Sequence, residues 1–331
     1  MVLLEQCDIP GYFDVGGDDY GKIVLWKGQT MLATSPFDVS VIVPMYNCED
    51  YVGYALKSAL DQKFSGTIEI IAVDDGSTDD TLEAARDVLA GADVFARLLK
   101  QRHGGVATAR NRALDLATGE YVAFLDADDQ LMEGFCEEMV NAARTDRADL
   151  VIGSTRAIPG RGDLRSCADG TVKEFGFSRA ATPFHQDFLA RLFWDEEMGT
   201  SVWGKLYRRC LLGRFSSDYY FEDCPFNLSY IRRCRTITTI AEEIYCYREG
   251  AGIAFGDGKY LDCGWEAKVV EDCLVRRFVE GICGAPLHEK SVEMADAKLL
   301  RDAEEAIEGG TDRAVIEGCR RYRQARERLA G

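Results

Sequence analysis

The 331-residue sequence lacks several features that would each fix a function class. It has no apolar run near the ~18–20 residues a membrane-spanning helix requires; stretches such as 39–46 and 121–125 are far shorter. It lacks surplus positive charge: 39 Lys and Arg stand against 56 Asp and Glu, a net charge of −17. That balance excludes a nucleic-acid protein, which must neutralise phosphates, and adsorption of the whole chain to an anionic membrane. No basic residue precedes Lys22, and Met1-Val2-Leu3-Leu4 runs straight into Glu5 and Asp8. A secretory leader needs a cationic start and a longer apolar centre, so the chain reads as cytoplasmic. Histidine is scarce: His103, His185 and His288 are too scattered for a metal triad. None of the 12 cysteines forms a C-x-x-C pair, which removes the zinc and thioredoxin patterns. They read as reduced, mostly small apolar fillers. No strand-like run is followed by G-x-G-x-x-G or by G-x-x-x-x-G-K-[ST], so no glycine loop is available to cradle phosphate.

What is present is a rhythm. Hydrophobic residues make up 47% of the chain, enough for a sizeable core. Residues 1–37 form a turn-rich N-terminal extension with one strand-like run at 22–26. Strand-like runs then fall at 39–44, 68–73, 94–99, 121–125 and 150–154. Helical patterns lie between them at 48–62, 78–89, 105–117 and 132–144. Strands alternating with helices, apolar throughout, predict a mostly parallel sheet covered on both faces. The rhythm fails after about 155. Residues 159–170 read as a loop, 179–193 and 222–233 as helices, 236–247 as a strand, and everything from about 256 as helix. The segment Arg320 to Arg328 holds five Arg and one Glu. Its plain reading is a solvated helix end; its sharper one is a contact with acidic lipid headgroups or an anionic ligand.

Ligands of open α/β sheets bind beyond the carboxyl ends of the strands. The first strand ends in Pro44-Met45-Tyr46-Asn47, the second in Asp74-Asp75-Gly76-Ser77 and the fourth in Asp126-Ala127-Asp128-Asp129. Two of these ends carry clustered carboxylates, which repel one another unless a cation or a donor ligand lies between them. Asp126-x-Asp128 offers hard oxygens suited to Mg2+ or Mn2+, although turns are rich in Asp for other reasons. An EF-hand is excluded because Leu131 stands where that loop needs Gly. Asp74 or Asp75 could accept from a nucleobase N–H or a ribose hydroxyl, or Ser77 and Thr78 could simply cap the next helix. Glu222-Asp223 opens a helix, where acids are favourable in any case; its chemical alternative is a general base. Trp203 to Arg209 joins an aromatic ring to cations, the chemistry that meets sugars and phosphates, or forms an ordinary half-buried segment.

In order, Val39-Ser40-Val41-Ile42-Val43-Pro44-Met45-Tyr46-Asn47, Val73-Asp74-Asp75-Gly76-Ser77-Thr78-Asp79, Ala109-Arg110-Asn111, Leu125-Asp126-Ala127-Asp128-Asp129, Trp203-x-Lys205-Leu206-Tyr207 and Glu222-Asp223 resemble the signature of glycosyltransferase family 2, across residues 38–248. The resemblance implies a GT-A fold: a Rossmann-like, mostly parallel sheet flanked by helices, here with a helical C-terminal region. It also implies a nucleotide-diphospho-sugar donor, with a UDP-sugar favoured, a Mn2+ or Mg2+ cofactor, and inversion at the anomeric carbon. Together with the pattern above, this divides the chain into an extension at 1–37, a transferase domain at 38–250 with nucleotide-binding (38–150) and acceptor (151–250) halves, and a helical region at 251–331; the resemblance does not explain the first and last of these. Carried over position by position, it puts Pro44, Tyr46, Asp74, Asp75, Arg110 and Asp126 on the nucleotide. Asp128 holds the metal and Asp223 is the catalytic base. Trp203, Lys205 and Glu222 lie on the acceptor or phosphate side.

His103 departs from the pattern, standing where many members carry Asn. The Gln-x-x-Arg-Trp motif of processive members is missing, since Gln324-Ala325-Arg326-Glu327-Arg328 has no Trp. The expected activity is therefore non-processive transfer to a carbohydrate, lipid-linked or protein acceptor in cell-surface polysaccharide or glycoconjugate synthesis, with peripheral contact at the inner membrane face. The rival readings are a nucleotidyltransferase, which normally needs a Gly- and Lys/Arg-rich loop after the first strand, and a catalytically idle carbohydrate-binding protein.

Overall fold

A computed structural model describes residues 37–330, except 91, 160–162, 167–170, 174–177, 218–220 and 250–258, together with strands at 5–6, 12–15 and 23–26. The chain divides into two units. The first comprises residues 1–179, 202–217 and 236–253; the second comprises 180–201, 218–235 and 254–331.

The first unit is built on a sheet. Its strands are β1 (Glu5–Gln6), β2 (Tyr12–Val15), β3 (Ile23–Trp26), β4 (Val39–Met45), β5 (Ile68–Asp74), β6 (Phe95–Lys100), β7 (Tyr121–Phe124), β8 (Gln130–Leu131), β9 (Leu150–Pro159), β10 (Thr171–Lys173), β12 (Lys205–Arg208) and β13 (Thr236–Glu249), while β11 (Ser178–Ala181) leads into the second unit. The main path runs β1-β2-β3-β6-β5-β4-β7-β12-β9-β13. Strands β6, β5, β4 and β7 are mutually parallel, and all seven residues of β4 are buried. A strand covered on both faces must be apolar on both, which is why 39–45 reads as a continuous run rather than an alternation.

Helices α1 (Val52–Leu60), α2 (Thr81–Leu89), α3 (Val106–Leu114) and α4 (Phe135–Asp146) follow β4, β5, β6 and β8 in the chain. Helix α1 buries Val52, Ala55, Leu56 and Ala59, one stripe at helical spacing. Helix α4 buries Phe135, Met139, Val140 and Ala143, and ends at Arg147, which has a left-handed φ of 52°. The mostly parallel expectation holds in the centre. It gives way on either side of this parallel block: β12, inserted between β7 and β9, is antiparallel to both, and β3 is antiparallel to β6. The 22–26 run is thus a sheet strand, whereas the glycine turns expected around it (Gly11, Gly16, Gly17, Gly21 and Gly28) lie outside the described residues.

The second unit is helical. The expected helix at 179–193 is shorter than its pattern suggests. Residues 178–181 form a strand, and α5 (Gln186–Ala190) begins only after Pro183, continuing as a π-turn over Arg191–Asp195. A proline has no N–H to give a helix, so the helix starts beyond it. Helix α6 (Asp223–Ile231) is set by Asn227, fully buried, whose amide donates to the Thr200 and Ser201 carbonyls at 2.8 and 2.6 Å. The remaining helices are Lys259–Cys283, Glu289–Glu308, Arg313–Gly318 and Arg320–Ala330. None is long and apolar enough to cross a membrane.

Candidate active site

The carboxyl ends of β4 and β5 are tied together by side chains. Asn47, forced to φ 46° at the turn after β4, accepts from the Thr78 N–H at 2.9 Å and donates its own N–H to the Ser77 hydroxyl at 3.0 Å. The Cys48 N–H donates to Thr81 Oγ1 at 2.7 Å. Glu49 Oε2 accepts from the Asp80 N–H at 2.8 Å. Pro44 is buried within β4 beside Val73.

Asp75 follows β5 and is 2% exposed. Its carboxylate accepts from Gln101 Nε2 (2.7 Å), the Gly104 N–H (3.0 Å) and the Gly105 N–H (2.7 Å), and lies 2.9 Å from His103 Nδ1. The loop after β6 is folded around this one acid. Gly76 makes the approach possible: at φ 78° a Cβ would meet the His103 backbone nitrogen at 2.8 Å. His103 then stacks on Tyr46 with ring centroids 4.3 Å apart. Asp74 is fully buried, accepts from the Ser77 N–H at 3.1 Å, and has Lys100 Nζ at 3.9 Å.

The turn after β7 concentrates negative charge. Asp126 pairs with Arg110 of α3 at 2.8 Å, and Arg110 is only 3% exposed. Asp129 is buried; its carboxylate accepts from the Tyr245 hydroxyl (2.8 Å) and from the Arg248 N–H (2.7 Å). Burial and the charges of Asp128 and Asp126 raise its pKa well above the usual range. Asp128, between them, is raised to about 6 by burial and by Asp126, against an opposing effect of Arg248. Arg248 itself is fully buried, donating to the Asp128 carbonyl at 2.8 Å and lying over the Tyr51 ring at 4.7 Å.

Trp203 stacks with Tyr245 and Tyr247 of β13 at 5.4 and 5.3 Å. Lys205, the first residue of β12, is buried, with Nζ 3.4 Å from the Trp203 carbonyl. The first unit therefore gathers Tyr46, Asp74 and Asp75 on one set of strand ends, and Asp126 and Asp128 on the next, with Arg110 of α3 paired to Asp126. Glu222 and Asp223 belong to the second unit, at the start of α6.

Among the described residues no three His, Cys, Asp or Glu side chains form a metal cage. The donor chemistry at Asp128 nevertheless fits a hard divalent cation. A single carboxylate in a crowd of like charge would leave most of a cation's coordination to other ligands, as Mg2+ sites commonly do.

Reading the sequence alone misses Arg248, Tyr245 and Gln101. Tyr245 and Tyr247 have the period-two spacing of one strand face. Nothing in the sequence distinguishes Arg248 from other surface-type arginines; it is identified only by the parallel register of β13 on β9.

Residues 40–209 match the model of Glycosyl transferase family 2. The chain belongs to that family. It is 33% identical over 219 residues to the uncharacterized glycosyltransferase EpsJ of Bacillus subtilis, covering 64% of this chain and 61% of EpsJ. The match thus spans about three fifths of that relative's length. Among solved structures, Staphylococcus aureus TarS 1–349 in complex with UDP-GlcNAc superposes with a TM-score of 0.58 at 21% identity, covering 87% of this chain and 79% of that one. The mannosyltransferase PcManGT from Pyrobaculum calidifontis, in complex with GDP-Man and Mn2+, gives 0.52 at 20% identity over 90% and 85%. These likenesses show the GT-A fold.

Proposed function

We propose that the protein is a non-processive, inverting glycosyltransferase that moves a sugar from a nucleotide-diphospho-sugar to an acceptor hydroxyl in cell-surface polysaccharide or glycoconjugate synthesis. The observation that carries this reading is the Asp126–Asp129 turn just after β7, which gathers three carboxylates at one strand end with Arg110 paired to Asp126 at 2.8 Å. Asp126 and Asp129 have protein partners, which leaves the Asp128 carboxylate for a cation. In this reading Pro44, Tyr46, Asp74, Asp75, Arg110 and Asp126 face the nucleotide. Asp128 would hold Mn2+ or Mg2+, which would supply Lewis-acid neutralisation to the leaving diphosphate. Asp223 accepts the proton of the acceptor hydroxyl as its oxygen bonds the anomeric carbon and the bond to the diphosphate breaks on the opposite face. Trp203, Lys205 and Glu222 serve the acceptor or phosphate side.

TarS, a poly(ribitol-phosphate) beta-N-acetylglucosaminyltransferase 29% identical over 222 residues and solved in complex with UDP-GlcNAc, supports a UDP-sugar donor and a polymeric acceptor. PcManGT, in complex with Mn2+, supports the metal. The proposed location is the cytoplasm, with peripheral contact at the inner face of the membrane.

The test is a thermal-shift panel of UDP-, GDP-, CMP- and dTDP-sugars with Mn2+, followed by turnover of Asp223→Asn. One nucleotide class should raise the midpoint. The variant should keep donor binding and lose roughly two to four orders of magnitude in turnover. No stabilisation by any donor refutes the transferase reading; near-normal turnover removes Asp223 from the chemistry.

A further inference from the structure

The arginine-rich helix Arg320–Ala330 takes no part in the proposed reaction. Its two faces are chemically distinct. On the inner face, Tyr322 and Ala325 are buried with Trp265, Leu299, Ala303 and Ile316. Arg321 bonds both Asp272, at 3.0 Å, and Asp296, while Arg328 reaches Asp296 at 3.0 Å. Asp296 is fully buried. Two of the five arginines are therefore clamps that fix the helix, not free cations.

The outer face presents Arg320, Arg323 and Arg326, three residues apart and all exposed. Arg323 donates to the Glu317 carbonyl at 3.3 Å and Arg326 lies over the Tyr322 ring at 5.8 Å. Among the described residues, the arginine–carboxylate pairs of this helix are those of Arg321 and Arg328. Exposed aliphatic side chains lie on this helix and on the one before it: Leu329 on the same helix is 42% exposed, and Val315 on the preceding helix Arg313–Gly318 is 53% exposed. Glu327 is the one exposed acid on the helix.

We propose that this outer face docks on an anionic lipid surface. The inference rests on the peripheral membrane contact of the proposed function and names the residues that make it. A guanidinium binds phosphate bidentately and keeps its charge at any physiological pH. A helix with arginines on its polar side and an aliphatic residue beside them suits the headgroup boundary, where each cation adds attraction within a Debye length. Because the chain carries −17 overall, long-range electrostatics oppose the approach. Any contact must be local, weak and salt-sensitive. The rigid clamp at Asp296 matters here, since a pre-formed helix pays no folding entropy on docking.

The full-length protein is sedimented with vesicles of phosphatidylcholine alone or with about one third phosphatidylglycerol, at low salt and at ~0.5 M NaCl. Partition onto the anionic vesicles only, falling with salt, is expected. Replacing Arg320, Arg323 and Arg326 together by Ser should cut partition by at least about tenfold, since each arginine near the surface is worth about a factor of five. The thermal midpoint should fall only slightly, because the three contribute no more than the Arg323 bond to the Glu317 carbonyl and the Arg326 contact with the Tyr322 ring, while the Arg321 and Arg328 clamps stay in place. Glu327→Gln, which leaves every arginine in place, should increase partition. Donor-induced thermal shifts in the triple variant should match the wild type, so loss of docking is separable from loss of donor binding. Absence of binding to anionic vesicles, equal binding to phosphatidylcholine alone, or unchanged partition of the triple variant overturns the proposal. So does displacement by inorganic phosphate beyond that of NaCl at matched ionic strength, which assigns the face to free phosphate instead.

Discussion

Asp128 is the residue whose charge state sets the behaviour of the acidic turn. Its folded pKa, about 6, lies above the ordinary carboxylate value, because burial and Asp126 both disfavour the charged form. For a raised acid the sign runs one way: protonation favours the folded state, fully so below the unfolded pKa near ~3.9, and that stability is lost as pH rises through about 6. At neutral pH the ionised Asp128 therefore destabilises the metal-free protein. Asp128→Asn should raise the metal-free melting temperature at neutral pH, with the gap closing below about pH 4. The same variant should lose whatever part of nucleotide binding depends on Mn2+. Melting curves across pH, with and without EDTA, check both; a variant less stable than wild type at neutral pH without metal contradicts the burial argument. At this scale the sequence was partly legible. The spacing of Asp126 and Asp128 is visible in one dimension. The burial of Asp129 and its bonds from Tyr245 and Arg248 are not, because their partners lie more than a hundred residues away.

Elements were more legible than residues, for a simple reason. A strand buried on both faces must be continuously apolar, and an amphipathic helix must repeat at 3.6 residues, so β4, β5, α1 and α4 are written directly in the sequence. Legibility fails where tertiary pairing overrides pattern, as with the antiparallel insertion of β12 and the strand at 178–181. One polar residue inside a legible element also shows what the pattern hides. Glu69 of β5 is fully buried, and its Oε1 accepts from the Ser40 hydroxyl (2.7 Å), the Thr118 N–H (2.6 Å) and the Thr118 hydroxyl (2.8 Å), with Arg97 at 3.4 Å from Oε2. It joins the starts of β4 and β5 to the turn before β7. Removing one partner of a buried charged network leaves the others unsatisfied. Glu69→Ala should therefore cost about 3–5 kcal/mol, read from urea unfolding, and Glu69→Gln, which keeps an acceptor, should cost less. Equal and small losses in both would mean that water replaces the carboxylate.

For the whole molecule, the division into two units is the least legible feature, because the second unit is assembled from three separated stretches of chain. The match to the family model ends at residue 209, and a reader of the sequence would treat the C-terminal helices as an appendage. Burial inside the second unit argues otherwise. Phe193 and Trp194, at 1% and 2% exposure, lie in the 180–201 stretch, yet the Phe193 ring meets Phe278 edge-on at 5.7 Å and Arg276 lies 5.8 Å over Trp194. Arg301 also donates to the Trp194 carbonyl at 3.0 Å. Cutting the chain after residue 253 would remove these partners while leaving the aromatic residues they cover. Burying one such side chain contributes roughly 1.5–3 kcal/mol, a large share of a typical domain's net stability. The truncated chain should bind a hydrophobic dye and lose the sharp melting transition of the full-length protein, although the whole family-matched segment is still present. A soluble, dye-silent, cooperatively melting 1–253 fragment would show that the C-terminal helices are dispensable to the core they contact.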